Sequence, residues 1–323
     1  MKRLFTALCI LIALSAGVSA SPRKDRADNG KPSVVTTVFP PYDFVRQIAG
    51  DTVNLTMLLP PGAESHSFEP TPQDIIRIQN SGLFIYVGGE SEAWVDRILS
   101  SLDTGKLRIL RLMDCVEIVE EEIVEGMQDD EEGDSHEDGD EGEHEEEAEY
   151  DEHIWTSPAN AALIVERISG ELCAIDRANA DSFRANAGDY LAKLAALDAA
   201  FRSAVDQGRR KVFVFGDRFP FRYFADAYGL RYFAAFPGCS TETEASAATV
   251  AFLINKVRDE RIPVVFHIEL SNEKIADTIC EATGAAKRLF HAAHNVSRQE
   301  FTGGTTYLEL MTRNADALRE ALR

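Results

Sequence analysis

Residues 179–207 read NADSFRANAGDYLAKLAALDAAFRSAVDQ, and this stretch decides how the rest of the chain is organised. Phe183, Tyr190, Leu191, Leu194, Leu197 and Phe201 recur at helical spacing, no proline interrupts them, and a single glycine, Gly188, sits inside the run. A helix of that length spans on the order of 40 Å, about the width of a domain. Heptads are not sustained, which argues against a coiled-coil arm. The stretch is read as a helix bridging two lobes, and the patterns on either side agree with that.

N-terminal to it, strand-like and helix-like runs alternate. Residues 33–39 and 52–59 read as strands, the second closed by Pro60-Pro61-Gly62, with a helical stretch at 42–49 between them. A short helix at 72–80, a buried strand at 83–87 and a helix at 92–99 follow. Ser157-Pro158 supplies an N-cap and a first-turn proline for a helix to about residue 175. Alternation restarts after the long helix: strands at 211–215, 231–236, 264–268 and 289–290, with helices at 219–228, 244–259, 272–283 and 306–322. Such alternation predicts an α/β fold, with two βα-type lobes built on mostly parallel sheets. The lobes are assigned to residues 33–178 and 209–323, joined by one long rigid helix at 179–208.

The net charge of the 323 residues is −21, but it is concentrated. The 37 residues from 117 to 153 hold 21 acidic side chains and no Lys or Arg; the remainder balances 33 acidic against 33 basic groups. A globally acidic surface is excluded, and so is the basic stripe of a nucleic-acid binder. Like charges at this density cannot offset ordering entropy, so residues 120–150 are expected to form a disordered acidic loop. Its His136 and His144 add imidazoles, a composition that gathers divalent cations weakly.

Residues 1–20 read as a signal peptide: Lys2 and Arg3, an apolar run at 4–16, and the small-residue site Val18-Ser19-Ala20. Thirteen apolar residues are short against the ~20 that span a bilayer. Cys9 lies inside the run, which does not support a lipid anchor. A polar lead-in at 21–32 follows, and the protein is expected to be exported, periplasmic and soluble. Cys115, Cys173, Cys239 and Cys280 permit two disulfides by any of three pairings, or none.

Five of the seven histidines, His66, His153, His267, His291 and His294, lie at strand-to-helix turns. Ligands bind beyond the carboxyl ends of strands in open α/β sheets, so histidines from both halves point to an interlobe metal site. Neutral imidazoles suit Zn²⁺, with a carboxylate or water completing a tetrahedron. His267 alternates with Phe266 and Ile268 and is set aside. There is no G-x-S-x-G, H-E-x-x-H or P-loop, and Gly303-Gly304 reads as the start of a helix.

Several pieces together resemble one family: VVTTVFPPYDFVRQIAGD at 34–51, LLPPGAESHSFEPTPQDI at 58–75, DEHIWTSPANAALIVERI at 151–168, YGL at 228–230 and ELSNEKIADTICEATGA at 269–285. With the acidic, His-containing insert before the DEHIW segment, the chain is similar to the solute-binding proteins of zinc and manganese ABC transporters, especially the periplasmic zinc-uptake type. The resemblance covers 34–322 and implies the cluster A-I architecture, in which metal lies between two lobes. It implies His66 as the first ligand and His153 as the second. The third position, usually histidine, is matched by Arg218, which cannot ligate a metal. The fourth, usually Asp, falls on His291. His294, one helical turn on, is the candidate for the missing ligand, with Asp217 and Glu269 behind it.

The expected function is therefore capture of Zn²⁺ and delivery to the membrane permease of an ABC importer, by a monomer that binds rather than turns over. A manganese or iron importer protein is the nearest alternative, favoured if a carboxylate fills the third corner, since oxygen suits harder ions. A secreted zinc hydrolase with Glu269 as base is the enzyme alternative.

Overall fold

The structure, a computed structural model, describes residues 30–65, 67–127, 149–240 and 244–323. In the first half these form β1 (Ser33–Thr36), α1 (Phe39–Ala49), β2 (Asn54–Met57), α2 (Pro72–Gln79), β3 (Leu83–Tyr86), α3 (Ala93–Leu99), β4 (Arg108–Arg111) and α4 (Pro158–Ile175). The long helix is α5 (Ala180–Gln207). Beyond it come β5 (Val212–Phe215), β6 (Arg218–Phe219), α6 (Arg222–Tyr228), β7 (Arg231–Phe233), β8 (Phe236–Pro237), α7 (Ala247–Asp259), β9 (Val264–His267), α8 (Lys274–Thr283), β10 (Ala286–Leu289), α9 (Arg298–Gly303) and α10 (Tyr307–Ala321).

Two four-stranded parallel sheets result, in the orders β2-β1-β3-β4 and β10-β9-β5-β7. Their inner strands, β1 and β3 in one and β5 and β9 in the other, are buried on both faces, as in parallel sheets covered by helices, while the edge strands β2, β4 and β10 are more exposed. Successive residues therefore enter different cores. Val34, Leu83 and Ile85 face the central core, while Val35, Phe84 and Tyr86 meet Ile78 of α2 and Val95 of α3. In the second sheet Phe213, Phe215 and Phe266 point to the centre, and Val212, Val214 and Val265 meet Leu253 of α7 and Ile279 of α8. The central core is shared: α5 packs against α1, α4 and α10, and residues Pro32–Arg323 form one packing unit.

Local chemistry explains the helix starts. Ser157 accepts from Asn160 N–H ahead of Pro158, and Thr71, Ser297 and Thr306 form capping boxes with Asp74, Glu300 and Glu309. The glycine pair at 303–304 is the reverse of the sequence expectation. Gly303 ends α9 and Gly304, at φ +75°, is its left-handed cap, while Thr306 opens the next helix. β4 has no counterpart in the sequence reading because only Leu110 of its four residues is buried, leaving no apolar run to detect.

The acidic segment is the larger correction. Residues 120–127 and 149–150, expected to be disordered, are held in place by specific contacts. Glu120 and Tyr150 form an antiparallel bridge, flanked by Glu121 N–H to Glu149 O at 2.9 Å and Asp151 N–H to Val119 O at 3.1 Å. Val119, Val124 and Met127 pack against the central core, Glu122 accepts from Tyr232 at 3.0 Å, and Glu125 pairs with Lys256 at 3.1 Å. The partners that order this stretch come from the second half of the chain, which a local charge count cannot see. The rest of the expected loop, with His136 and His144, lies outside the described residues, as do the signal segment and His66. Cys115, Cys173, Cys239 and Cys280 are all free thiols. Among the described residues no helix is long and apolar enough to cross a membrane.

Candidate metal site

Loops leaving the carboxyl ends of β2, β5, β9 and β10 converge with the turn before α4. They enclose a cavity of about 30 Å³, lined by Glu64, Ser65, His153, Arg218, Glu269 and His294 among others. That is room for an ion or a water, not for an organic substrate.

His153 is 1% exposed and is held by one carboxylate. Asp151 Oδ1 accepts the His153 backbone N–H at 2.7 Å and lies 3.0 Å from its Nδ1. An imidazole that donates Nδ1–H to a carboxylate has the Nε2 lone pair available, the arrangement that orients metal-binding histidines. Burial acts to lower the His153 pKa, but the Asp151 charge and hydrogen bond, with Glu152 and Glu121, raise it overall. Glu152 takes Ser91 N–H at 2.8 Å and bonds the Ser91 hydroxyl, tying the turn to the loop after β3. The approach requires Gly89, at φ +101°, where a Cβ would come within 2.5 Å of the Glu152 carboxylate.

His294 faces His153 with ring centroids 5.2 Å apart and planes at 81°, and its ring lies 5.0 Å from that of Trp155. Its Nδ1 is 3.3 Å from Ser65 Oγ. Glu269 holds the turn in place by accepting Ala292 N–H at 2.7 Å and His294 N–H at 3.1 Å. Trp155, fully buried, donates Nε1–H to Ala292 O at 2.7 Å from the other side. Asn295 donates to Pro60 O and Ala63 O, both at 2.9 Å, so the β10 turn is stitched to the loop that carries His66.

The structure thus brings together His153, His294 and Glu269, and places the neighbours of His66 on the same cavity. His291 is not among the lining residues. Its Nδ1 accepts Ala293 N–H at 2.9 Å, which puts the proton of a neutral ring on Nε2, a buried atom with no partner among the described residues. Its backbone is clamped by Asn314, which accepts His291 N–H and donates to His291 O, both at 2.8 Å. Asp217 is not among the lining residues; its carboxylate accepts the backbone N–H groups of Arg218 and Ile268. His267 turns away and bonds its ring to Ile268 O, so the bend after β9 presents Glu269 instead. Arg218 does line the cavity, where its guanidinium reaches Ser240 O at 3.1 Å and Glu64 at 3.4 Å, a contact between loops of the two halves. The family resemblance puts His291 at the fourth position by counting from the TGA motif and keeps Glu269 behind His294 for the missing corner. The chain reverses at Ala293, whose φ is +59°, and of these three Glu269 and His294 are the two that line the cavity.

A profile of the family described as zinc-uptake complex component A, periplasmic, matches residues 34–321. The chain is 31% identical over 316 residues to the high-affinity zinc uptake system protein ZnuA of Bacillus subtilis, covering 98% of this chain and 95% of that protein. It is 32% identical over 322 residues to the zinc-binding lipoprotein AdcA of Streptococcus pneumoniae, taking in 99% of this chain but spanning only 61% of that relative's length. The crystal structure of the Zn(II)-bound ZnuA-like domain of that AdcA matches with a TM-score of 0.73 at 28% identity, over 91% of this chain and 99% of that one. Taken with the two parallel sheets and the histidine-lined cavity between their loops, these likenesses mean that the chain belongs to the family of periplasmic zinc-uptake solute-binding proteins.

Proposed function

We propose that this protein captures Zn²⁺ in the cavity between His153 and His294 and delivers it, outside the cytoplasmic membrane, to the permease of an ABC importer. The observation that carries this reading is the pair of imidazoles facing one another across about 30 Å³, with Asp151 behind His153. His66, on the loop whose Glu64 and Ser65 line the cavity, is proposed as the third imidazole, and Glu269 as the oxygen donor. Three nitrogens and one oxygen make a tetrahedral set of zinc-preferring character. Arg218 takes no part in ligation; it closes the rim by pairing with Glu64. His291 is assigned to the turn rather than to the metal.

Bound Zn²⁺ would be held by ligands from both sheets, so release needs the loops to separate. The contacts along α5 oppose a wide hinge motion, and a small displacement of the stitched loops suffices. The test is titration of the full chain with Zn²⁺ against a competing chelator, for the natural sequence and for His153→Ala and His294→Ala. One tight equivalent is expected, lost or weakened in both variants. Retention of that equivalent in both would overturn the assignment. The same titration with Mn²⁺ measures how far the Glu269 oxygen shifts the site towards a harder ion.

A further inference from the structure

Beyond the cavity, a second group of metal-binding side chains lies at the base of the acidic segment. Ligand atoms of Glu121, Glu149 and Cys239 all lie within 4.8 Å of one another. Bonds of ~2.3 Å to sulfur and ~2.0 Å to oxygen at a tetrahedral centre put those atoms about 3.5 Å apart, so modest side-chain rotation closes the set.

Asp151 stands beside this group, outside its 4.8 Å circle but near enough for its charge to act on Glu121 and Cys239. The antiparallel bridge pairs Glu120 with Tyr150, and Glu121 N–H bonds Glu149 O. With side chains alternating along each strand, Glu121, Glu149 and Asp151 project from the same face. Asp151 is 1% exposed; its Oδ1 is taken by His153, and its Oδ2 is buried with no partner among the described residues. Like charges directly opposed on paired strands repel, and an unpartnered buried carboxylate oxygen is costly. Among the described residues, two cations close to this stretch serve other carboxylates. Arg222 pairs with Glu122 and Asp226, and Lys256 with Glu125, whereas the bond to the Glu121 carboxylate is the Cys239 N–H at 2.9 Å.

We propose that Glu121, Glu149 and Cys239, with the open oxygen of Asp151, form a second divalent-metal site of the zinc class at the neck of the acidic segment. A dication there neutralises the opposed carboxylates and gives Asp151 Oδ2 a partner. Thiolate and carboxylate donors together suit Zn²⁺ better than Mn²⁺ or Ca²⁺. Burial, then the charges of Asp151 and Glu121, push the Cys239 thiol well above its ordinary pKa. Binding must therefore displace the thiol proton, releasing one H⁺ as the sulfur–metal bond forms. Because Asp151 also holds His153, this site abuts the cleft. Its Glu149 is exposed, which leaves the site open to solvent.

The experiment loads the full chain, thiols reduced, with up to two equivalents of Co²⁺ and records the thiolate-to-cobalt charge-transfer band in the near ultraviolet. The band is expected to grow with the second equivalent, to vanish in Cys239→Ser, and to weaken at least tenfold in Co²⁺ affinity in Glu121→Gln, where the thiol is intact. His153→Ala should keep the band while losing the tight cleft equivalent, so failure of the cleft reading and failure of this one are told apart. Absence of the band at two equivalents, or its persistence in Cys239→Ser, overturns the proposal.

Discussion

Replacing Asp151 by asparagine isolates the contribution of one charge to metal capture. Asp151 is fully enclosed and makes two bonds to the same histidine, at 2.7 Å to its backbone N–H and 3.0 Å to Nδ1. Asparagine keeps an acceptor of the same size for the backbone bond but removes the charge that fixes the tautomer and makes the imidazole more basic. Loss of such a carboxylate behind a ligating histidine costs about 10–100-fold in metal affinity, or about 1.4–2.7 kcal/mol. Folding should survive, because the retained hydrogen bond limits the loss to about 1 kcal/mol. The assay is competition titration with Zn²⁺ alongside a thermal melt. Asp151→Ala should weaken zinc at least as much, and in addition lose about 1–3 kcal/mol of stability by stranding the His153 N–H. A folded Asp151→Asn protein that binds zinc as tightly as the natural sequence would refute the reasoning, since His153 would then need no partner to act.

Three further outcomes follow from the packing. Phe215 is fully buried with ring centroids 5.2 Å from Phe219, 5.2 Å from Phe221 and 5.3 Å from Phe266, so Phe215→Ala should cost about 3–5 kcal/mol in urea unfolding; less than 1 kcal/mol would contradict this core. Gly216→Ala would set a Cβ 2.5 Å from Ala276 Cα and 2.6 Å from its N, backbone atoms that cannot rotate away, and about 1–3 kcal/mol of destabilisation is expected in the same measurement. Glu92 is buried, accepts Val87 and Gly88 N–H at 2.7 and 2.9 Å, and is pushed up to about 7, chiefly by burial. The folded state then binds the proton more tightly than the unfolded chain. Its contribution is full below the unfolded value near 4.5 and declines as pH rises through about 7. Glu92→Gln should flatten that fall, measured as unfolding free energy from pH 4.5 to 8; an unchanged slope would remove Glu92 as its source.

The acidic stretch shows where a sequence argument stops. A run with 21 acidic residues and no cation reads as unstructured when only its own residues are counted. Glu122 and Glu125 are nevertheless ordered by Arg222, Tyr232 and Lys256, more than a hundred positions away in the case of Tyr232, and long-range partners leave no local trace.

Sequence alone determined the parallel α/β architecture, because strands buried on both faces must be apolar throughout and caps such as Ser157 and Thr306 mark helix starts chemically. It determined the 28-residue helix at α5, since an unbroken 3.6-residue period has no other stable form. It also nominated His66, His153, His291 and His294, from their strand-end positions and the family resemblance, and of these, among the described residues, His153 and His294 line the cavity. Only the tertiary structure decided that Glu269 rather than His291 lines the cavity, that Arg218 bridges to Glu64, and that Cys239 meets Glu121 and Glu149. Each of those depends on where a loop turns or which loops meet, and these are set by contacts between distant segments rather than by the period of any one of them.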